Sequence, residues 1–173
     1  MKKILLGVSG SIAAYKAAEL VRILVKRGDE VTVVMTPAAT EFVKPLTFRT
    51  LSRNPVYVDE FAPPPTWKPE HIALAESADL VVVAPATANT LAKLRCGIAD
   101  NLLTSVLLAT KAPVVVAPAM NTGMWENPAT VENLAVLKSR GVKVVEPASG
   151  ELACGAEGKG RMAEPEEIAE ACE

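Results

Sequence analysis

Residues 3–28 read KILLGVSGSIAAYKAAELVRILVKRG, and two periodicities meet inside that stretch. Lys3–Val8 is apolar at nearly every position without alternation, as a strand buried on both faces should be. After the small turn Ser9-Gly10-Ser11 the spacing changes. Ala13, Ala17, Leu20, Val21 and Leu24 fall on one helical face, with Lys16, Glu19, Arg22 and Lys26 outside it. Gly28 follows as a helix stop. A doubly buried strand, a tight turn and an amphipathic helix form the repeating unit of a parallel sheet covered by helices.

The unit recurs along the chain. Further strands are expected at Glu30–Met35, Leu80–Ala84, Val114–Ala117 and Val142–Val145, with a weaker one at Val56–Val58. Helices are expected at about Ile12–Arg27 and at Ala88–Leu94, Asn101–Thr110, Pro128–Ser139 and Glu166–Glu173. The fold class is therefore α/β, with a parallel sheet of about six strands. No repeat or linker divides the 173 residues, so residues 1–173 are expected to form one domain. The proline-rich Ala62–Pro69 stretch cannot hold regular structure and reads as an exposed loop or flap. The last helix reaches Glu173 without an evident stop, which leaves open whether the protein ends there or continues into a longer polypeptide.

Half of the residues are hydrophobic, 22% are charged and the net charge is −2, which argues against disorder and against a nucleic-acid partner. The N-terminal apolar run stops at Ser9, too short for a signal peptide, and no run approaches the ~20 residues of a membrane span. Cys96, Cys154 and Cys172 are odd in number and far apart, so reduced thiols and a cytoplasmic location are expected. One histidine and no paired cysteines give no basis for a metal site.

Chemistry-bearing residues gather where strands are expected to end. Gly10 permits close backbone approach, and Ser9 or Ser11 can donate a hydroxyl hydrogen bond to a phosphate at the helix N-terminus. Neither a Gly-x-Gly-x-x-Gly nor a Walker signature is present. Thr36 follows the second strand, and Thr87-Ala88-Asn89-Thr90 follows the Leu80–Ala84 strand. Each hydroxyl is equally an N-cap; their recurrence at one sheet edge suggests a continuous cradle for a mononucleotide.

After the Val114–Ala117 strand comes Pro118-Ala119-Met120-Asn121, followed by Met124-Trp125. Asn121 can hold a carboxylate or amide without adding charge, whereas the Met and Trp residues are equally packing. His71, the one histidine, reads as lying at a helix start. Cys154 lies in a stretch with glycines at 155, 158 and 160, read as a mobile loop or flap that presents a proton donor. Lys159 and Arg161 are there available to meet a phosphate.

Six segments in this order resemble the homo-oligomeric flavin-containing cysteine decarboxylases: Gly10-Ser11-Ile12-Ala13-Ala14, His71-Ile72 with Leu74, Pro85–Thr90, Ala99–Leu102, Pro118–Asn121 with Met124-Trp125, and Ala153-Cys154-Gly155 through Gly160-Arg161-Met162. The resemblance covers nearly the whole chain. It implies a Rossmann-like three-layer sandwich, assembly in trimers or multiples of trimers, and flavin mononucleotide (FMN) near subunit interfaces. It further implies flavin contacts from Gly10, Ser11, Ile12, Thr36, Thr87, Ala88, Asn89, Thr90, Ala119 and Met120. Substrate contacts would come from Asn121, Met124, Ala153, Lys159, Arg161 and Met162. The substrate would be a phosphorylated small molecule ending in cysteine, and a ligase domain is sometimes fused C-terminally.

In that chemistry the acylated cysteine lacks an electron sink. Oxidation of its thiol to a thioaldehyde creates one, carbon dioxide leaves, and the resulting enethiol is re-reduced. His71 would serve in the oxidative step, Asn121 would hold the carboxylate, and Cys154 would return a proton. A flavin prenyltransferase or peptidyl-cysteine decarboxylase of the same fold, or a non-catalytic regulatory flavoprotein, are the alternatives. The first needs no glycine-flanked cysteine, and the last typically carries long acidic extensions that this chain lacks.

Overall fold

The computed structural model describes residues 1–151, 155 and 157–173. The elements run β1 (Lys3–Val8), α1 (Ala14–Arg27), β2 (Glu30–Met35), a 3-10 turn (Pro37–Glu41), α2 (Pro45–Ser52), β3 (Val56–Tyr57) and α3 (Glu70–Ser77). They continue with β4 (Leu80–Ala86), α4 (Ala88–Cys96), α5 (Leu102–Ala109), β5 (Val114–Pro118), α6 (Thr122–Trp125), α7 (Pro128–Ser139) and β6 (Lys143–Val144). A hairpin of β7 (Ala148–Glu151) and β8 (Glu157–Arg161) precedes α8 (Pro165–Ala171).

Six strands form one sheet in the order β3-β2-β1-β4-β5-β6, and every pairing in it is parallel. The order reverses direction between β1 and β4, which creates the crevice where doubly wound sheets bind ligands. Because side chains alternate across a strand, Ile4, Leu6 and Val8 enter one core with α1, Phe48 of α2 and Ile168 of α8. Leu5, Val81 and Val83 enter the other with Leu74, Leu91, Leu103, Leu134 and Leu137. The result is the expected three-layer α/β arrangement. Among the described residues no helix is long and apolar enough to cross a membrane.

Several expectations need correction. α1 begins at Ala14, because Ser11–Ala13 form the turn that leaves β1. Lys16 does not point to solvent: it is 9% exposed, and its Nζ lies 2.9 Å from Glu164 Oε1, so the ion pair ties α1 to the start of α8. α2 was not expected from the sequence; it is short and buries only Phe48 and Ser52. The glycine-rich 152–162 stretch is not a loop throughout: 157–161 form β8, antiparallel to β7. Gly158 and Gly160 serve close packing. A Cβ on Gly160, whose φ is +143°, would lie 2.2 Å from the Met120 carbonyl oxygen. The proline-rich 62–69 stretch carries neither helix nor strand, as expected, and its Trp67 is 92% exposed.

Candidate active site

The carboxyl ends of β1 and β4 are joined by one side chain. Ser9 is fully buried, and its Oγ donates to the Pro85 carbonyl at 2.6 Å while accepting the Thr87 N–H at 3.0 Å. The two open readings of this turn therefore separate: Ser9 is structural, and Ser11 faces the ligand side. Beyond Ser9 lies a cleft of about 700 Å³, within the range of small-ligand and cofactor sites. Gly10, Ser11 and Ile12 line it from the β1 turn, Thr36 from the end of β2, Thr87–Thr90 from α4, and Ala119 and Met120 from the end of β5. Every residue expected to touch the flavin thus meets in one cavity at the topological switch point.

Local chemistry explains the arrangement. Thr36 Oγ1 accepts the Ala39 N–H at 3.2 Å, and Thr87 Oγ1 accepts the Thr90 N–H at 3.2 Å. These threonines are N-caps and cleft residues together, so the two readings of the sequence do not compete. Each cap leaves other first-turn N–H groups of its helix unpaired within the helix and open to an anion. A Cβ on Gly10 would meet the Ala38 Cβ at 2.6 Å, so glycine lets the β1 and β2 turns close into one wall. Small residues at the strand ends, hydroxyls and a helix N-terminus suit a phosphorylated flavin.

Asn121 N-caps α6, with its Oδ1 accepting the Gly123 N–H at 2.8 Å. It lies between Met120 and Met124, which both line the cleft. The hairpin docks directly on this turn, because the Met120 N–H donates to the Gly160 carbonyl at 3.0 Å. Lys159 Nζ sits 3.2 Å from Glu146 Oε2 and 5.5 Å from the Trp125 ring centroid, and Arg161 Nη2 lies 2.8 Å from Glu164 Oε1. Hydrogen bonds from Lys138 and then Lys159 hold the Glu146 carboxyl below its ordinary range. Lys16, with Arg161, does the same for Glu164.

Not every expected site residue reaches the cleft. Met162 is 1% exposed and packed in the core with α1 and α8, so its side chain faces away from a ligand. Its apolar bulk follows β8 into the protein rather than across the site. His71 lies in the first turn of α3 and is absent from the lining of the cleft. Ala153 and Cys154 lie outside the described residues. The cleft also contains residues that the sequence did not single out as ligands: Pro37, Ala38, Phe42, Lys93, Asp100 and Asn101. Lys93 and Asp100 pair across the break between α4 and α5, at 2.9 and 2.8 Å, where no helical periodicity advertises a contact.

A parallel sheet with such a cleft at its switch point defines a nucleotide-type binding site, and comparison with known proteins identifies the family. The family model described as Flavoprotein matches residues 1–173, and the chain belongs to that family. The Coenzyme A biosynthesis bifunctional protein CoaBC of Vibrio parahaemolyticus is 52% identical over 172 residues, covering 99% of this chain and 43% of that protein. The chain thus spans less than half the length of the bifunctional relatives it matches. A probable phosphopantothenoylcysteine decarboxylase of Streptococcus mutans is 53% identical over 169 residues, 96% of this chain and 94% of that one. Among solved structures, a cysteine-to-serine mutant of PPC decarboxylase complexed with pantothenoylaminoethenethiol superposes with a TM-score of 0.89 at 36% identity, covering 99% of this chain and 96% of that one. The FMN binding protein AtHal3 gives 0.85 at 36% identity, over 99% and 94%.

Proposed function

We propose that the chain binds FMN in the switch-point cleft and decarboxylates 4'-phospho-N-pantothenoylcysteine to 4'-phosphopantetheine, a step of coenzyme A biosynthesis. The observation that carries this reading is the convergence of the Gly10–Ile12, Thr36, Thr87–Thr90 and Ala119–Met120 segments on one cleft. A relative named as a probable phosphopantothenoylcysteine decarboxylase, matched over 94% of its length, supports it. Residues 1–173 act as one FMN-dependent carboxy-lyase domain. A phosphopantothenate–cysteine ligase domain fused behind it, as the length of the bifunctional relatives suggests, would make the substrate, and both would work in the cytoplasm.

Bound FMN would supply the oxidation of the substrate thiol and the later re-reduction, so the net reaction replaces carbon dioxide by a proton. The protein's own part is positioning. The Ser11 hydroxyl and the first turn of α4 hold the phosphorylated chain of the cofactor, and small Ala88 and Ala119 leave room for a flat ring. Asn121 presents a neutral amide to the substrate carboxylate, with Met124 beside it, and its place at the start of α6 fixes that amide's backbone. Lys159 and Arg161 flank the substrate from the hairpin, Ala153 is a further substrate contact, and Cys154 returns the proton after carbon dioxide has left. Arg161 and Lys159 would first release their carboxylate partners to meet the substrate phosphate.

His71 takes part in the oxidative step from a neighbouring copy, since within one chain it lies off the cleft. Trimers or multiples of trimers would provide that neighbour. Exposed Ile12, Tyr15, Phe42 and Met124 around the cleft supply apolar surface for it. The test is arrest at the last step. Cys154→Ser should release carbon dioxide but accumulate a product two hydrogens lighter than 4'-phosphopantetheine. Normal yield of the reduced thiol from that variant would overturn the role of Cys154.

A further inference from the structure

Among the described residues lining the cleft, Lys93 is the one lysine, arginine or histidine, and Asp100 is the one acid. The Lys93 ammonium rests against both oxygens of Asp100, at 2.9 and 2.8 Å. The lysine side chain is 21% exposed and its partner 52%, so the pair lies at the mouth, with the lysine on the covered side. An ion pair this exposed contributes little to stability. Nor is it needed to place its own backbone. The Asp100 and Asn101 N–H groups both donate to Thr104 Oγ1 at 3.1 Å, and Asn101 caps α5.

Lys159 and Arg161 of β8 are each committed to a carboxylate, Glu146 and Glu164. A phosphate entering the cleft therefore meets neutral walls, helix N–H groups and one ammonium already shared with the Asp100 carboxylate. A lysine ammonium has three donors on a rotatable head, and one carboxylate does not exhaust them. Lysine acts toward phosphate as a point charge, without the planar fork of arginine.

We propose that Lys93 is the residue by which the cleft selects a phosphorylated flavin over the unphosphorylated one. Lys93 supplies the attraction, and the Asp100 carboxylate beside it limits that attraction's strength. This specificity rests on the reading of the cleft as a flavin site.

The protein freed of flavin is titrated with FMN and with riboflavin, following the quenching of flavin fluorescence at low and high salt. Lys93→Met should weaken FMN about tenfold, as loss of one nearby unit charge does at a partly solvated site, and change riboflavin less than about twofold. Asp100→Asn should act in the opposite direction, tightening FMN alone. Lys93→Arg should keep the preference. The salt dependence of FMN binding should flatten in Lys93→Met, because screening then has less to act on. Equal losses for both flavins, or no loss for either, would overturn the inference while leaving the flavin site intact. So would weaker FMN binding by Asp100→Asn, which also decides the matter if Lys93→Met does not fold. Failure of the unaltered protein to bind either flavin would overturn the cleft assignment itself, and this inference with it.

Discussion

Removing the Ser9 hydroxyl should loosen the whole cleft from behind. Ser9→Ala deletes two hydrogen bonds inside a fully buried site, one donated to the Pro85 carbonyl at 2.6 Å and one accepted from the Thr87 N–H at 3.0 Å. The Pro85 carbonyl keeps a second donor, the Ser9 N–H at 3.3 Å, so the acceptor is not orphaned. The Thr87 N–H has no such reserve. At about 1 kcal/mol per hydrogen bond the loss is about 2 kcal/mol. That corresponds to a fall of about 4–8 °C in melting temperature for a chain of this size. FMN affinity should fall with it, because Thr87–Thr90 leave the position that β1 dictates. Ser11→Ala is the contrasting variant. Its hydroxyl accepts only the Ala13 N–H at 3.2 Å among the described residues, so stability should change by about 0.5 kcal/mol or less while FMN affinity drops. Urea unfolding and flavin titration read both quantities. Unchanged stability in Ser9→Ala, or a larger stability loss in Ser11→Ala, would refute the division of labour between the two serines.

Other outcomes follow from the same coordinates. Gly160→Ala should cost about 2–3 kcal/mol, since strained φ and a Cβ 2.2 Å from the Met120 oxygen act together. Gly141→Ala, at φ +88° with nothing near the new Cβ, should cost only about 1 kcal/mol, and thermal melts of both check the contrast. Thr87→Ala should lose about 1 kcal/mol as an N-cap and weaken FMN, measured by chemical unfolding and by titration. Glu164 has its carboxyl held low chiefly by the Lys16 hydrogen bond, so its contribution is present above the ordinary glutamate pKa and is lost as pH falls through the depressed folded value. Glu164→Gln should therefore flatten the acid side of the stability profile below the ordinary glutamate range, and a profile as steep as the unaltered protein's would contradict that. Light scattering should give a mass that is a multiple of three chains.

Much of the fold was legible because β1, β2, β4 and β5 are apolar without alternation, a pattern that doubly covered parallel strands alone require. The limits of β1, β2 and α7 were readable to the residue. What escaped notice has local causes. Lys16 looks like a surface lysine on its helix wheel, and only the later Glu164, 148 positions on, explains its burial. β8 was hidden by glycines, which speak for loops in sequence and here permit the hairpin to lie against Met120 and Thr122. The cleft was legible as hydroxyls at strand ends, since capping and anion binding draw on the same residues. The pairing of Lys93 with Asp100 was not, because it joins α4 to the connection before α5. Nor does a single chain bring His71 to the cleft, which no motif could have revealed.

The most direct measurement is turnover of 4'-phospho-N-pantothenoylcysteine by the purified yellow protein, with carbon dioxide trapped and the product weighed by mass spectrometry. One carbon dioxide released for each 4'-phosphopantetheine formed, with FMN bound and no added oxidant consumed, is the predicted result. A protein that holds FMN yet leaves this substrate unchanged would contradict the proposed function.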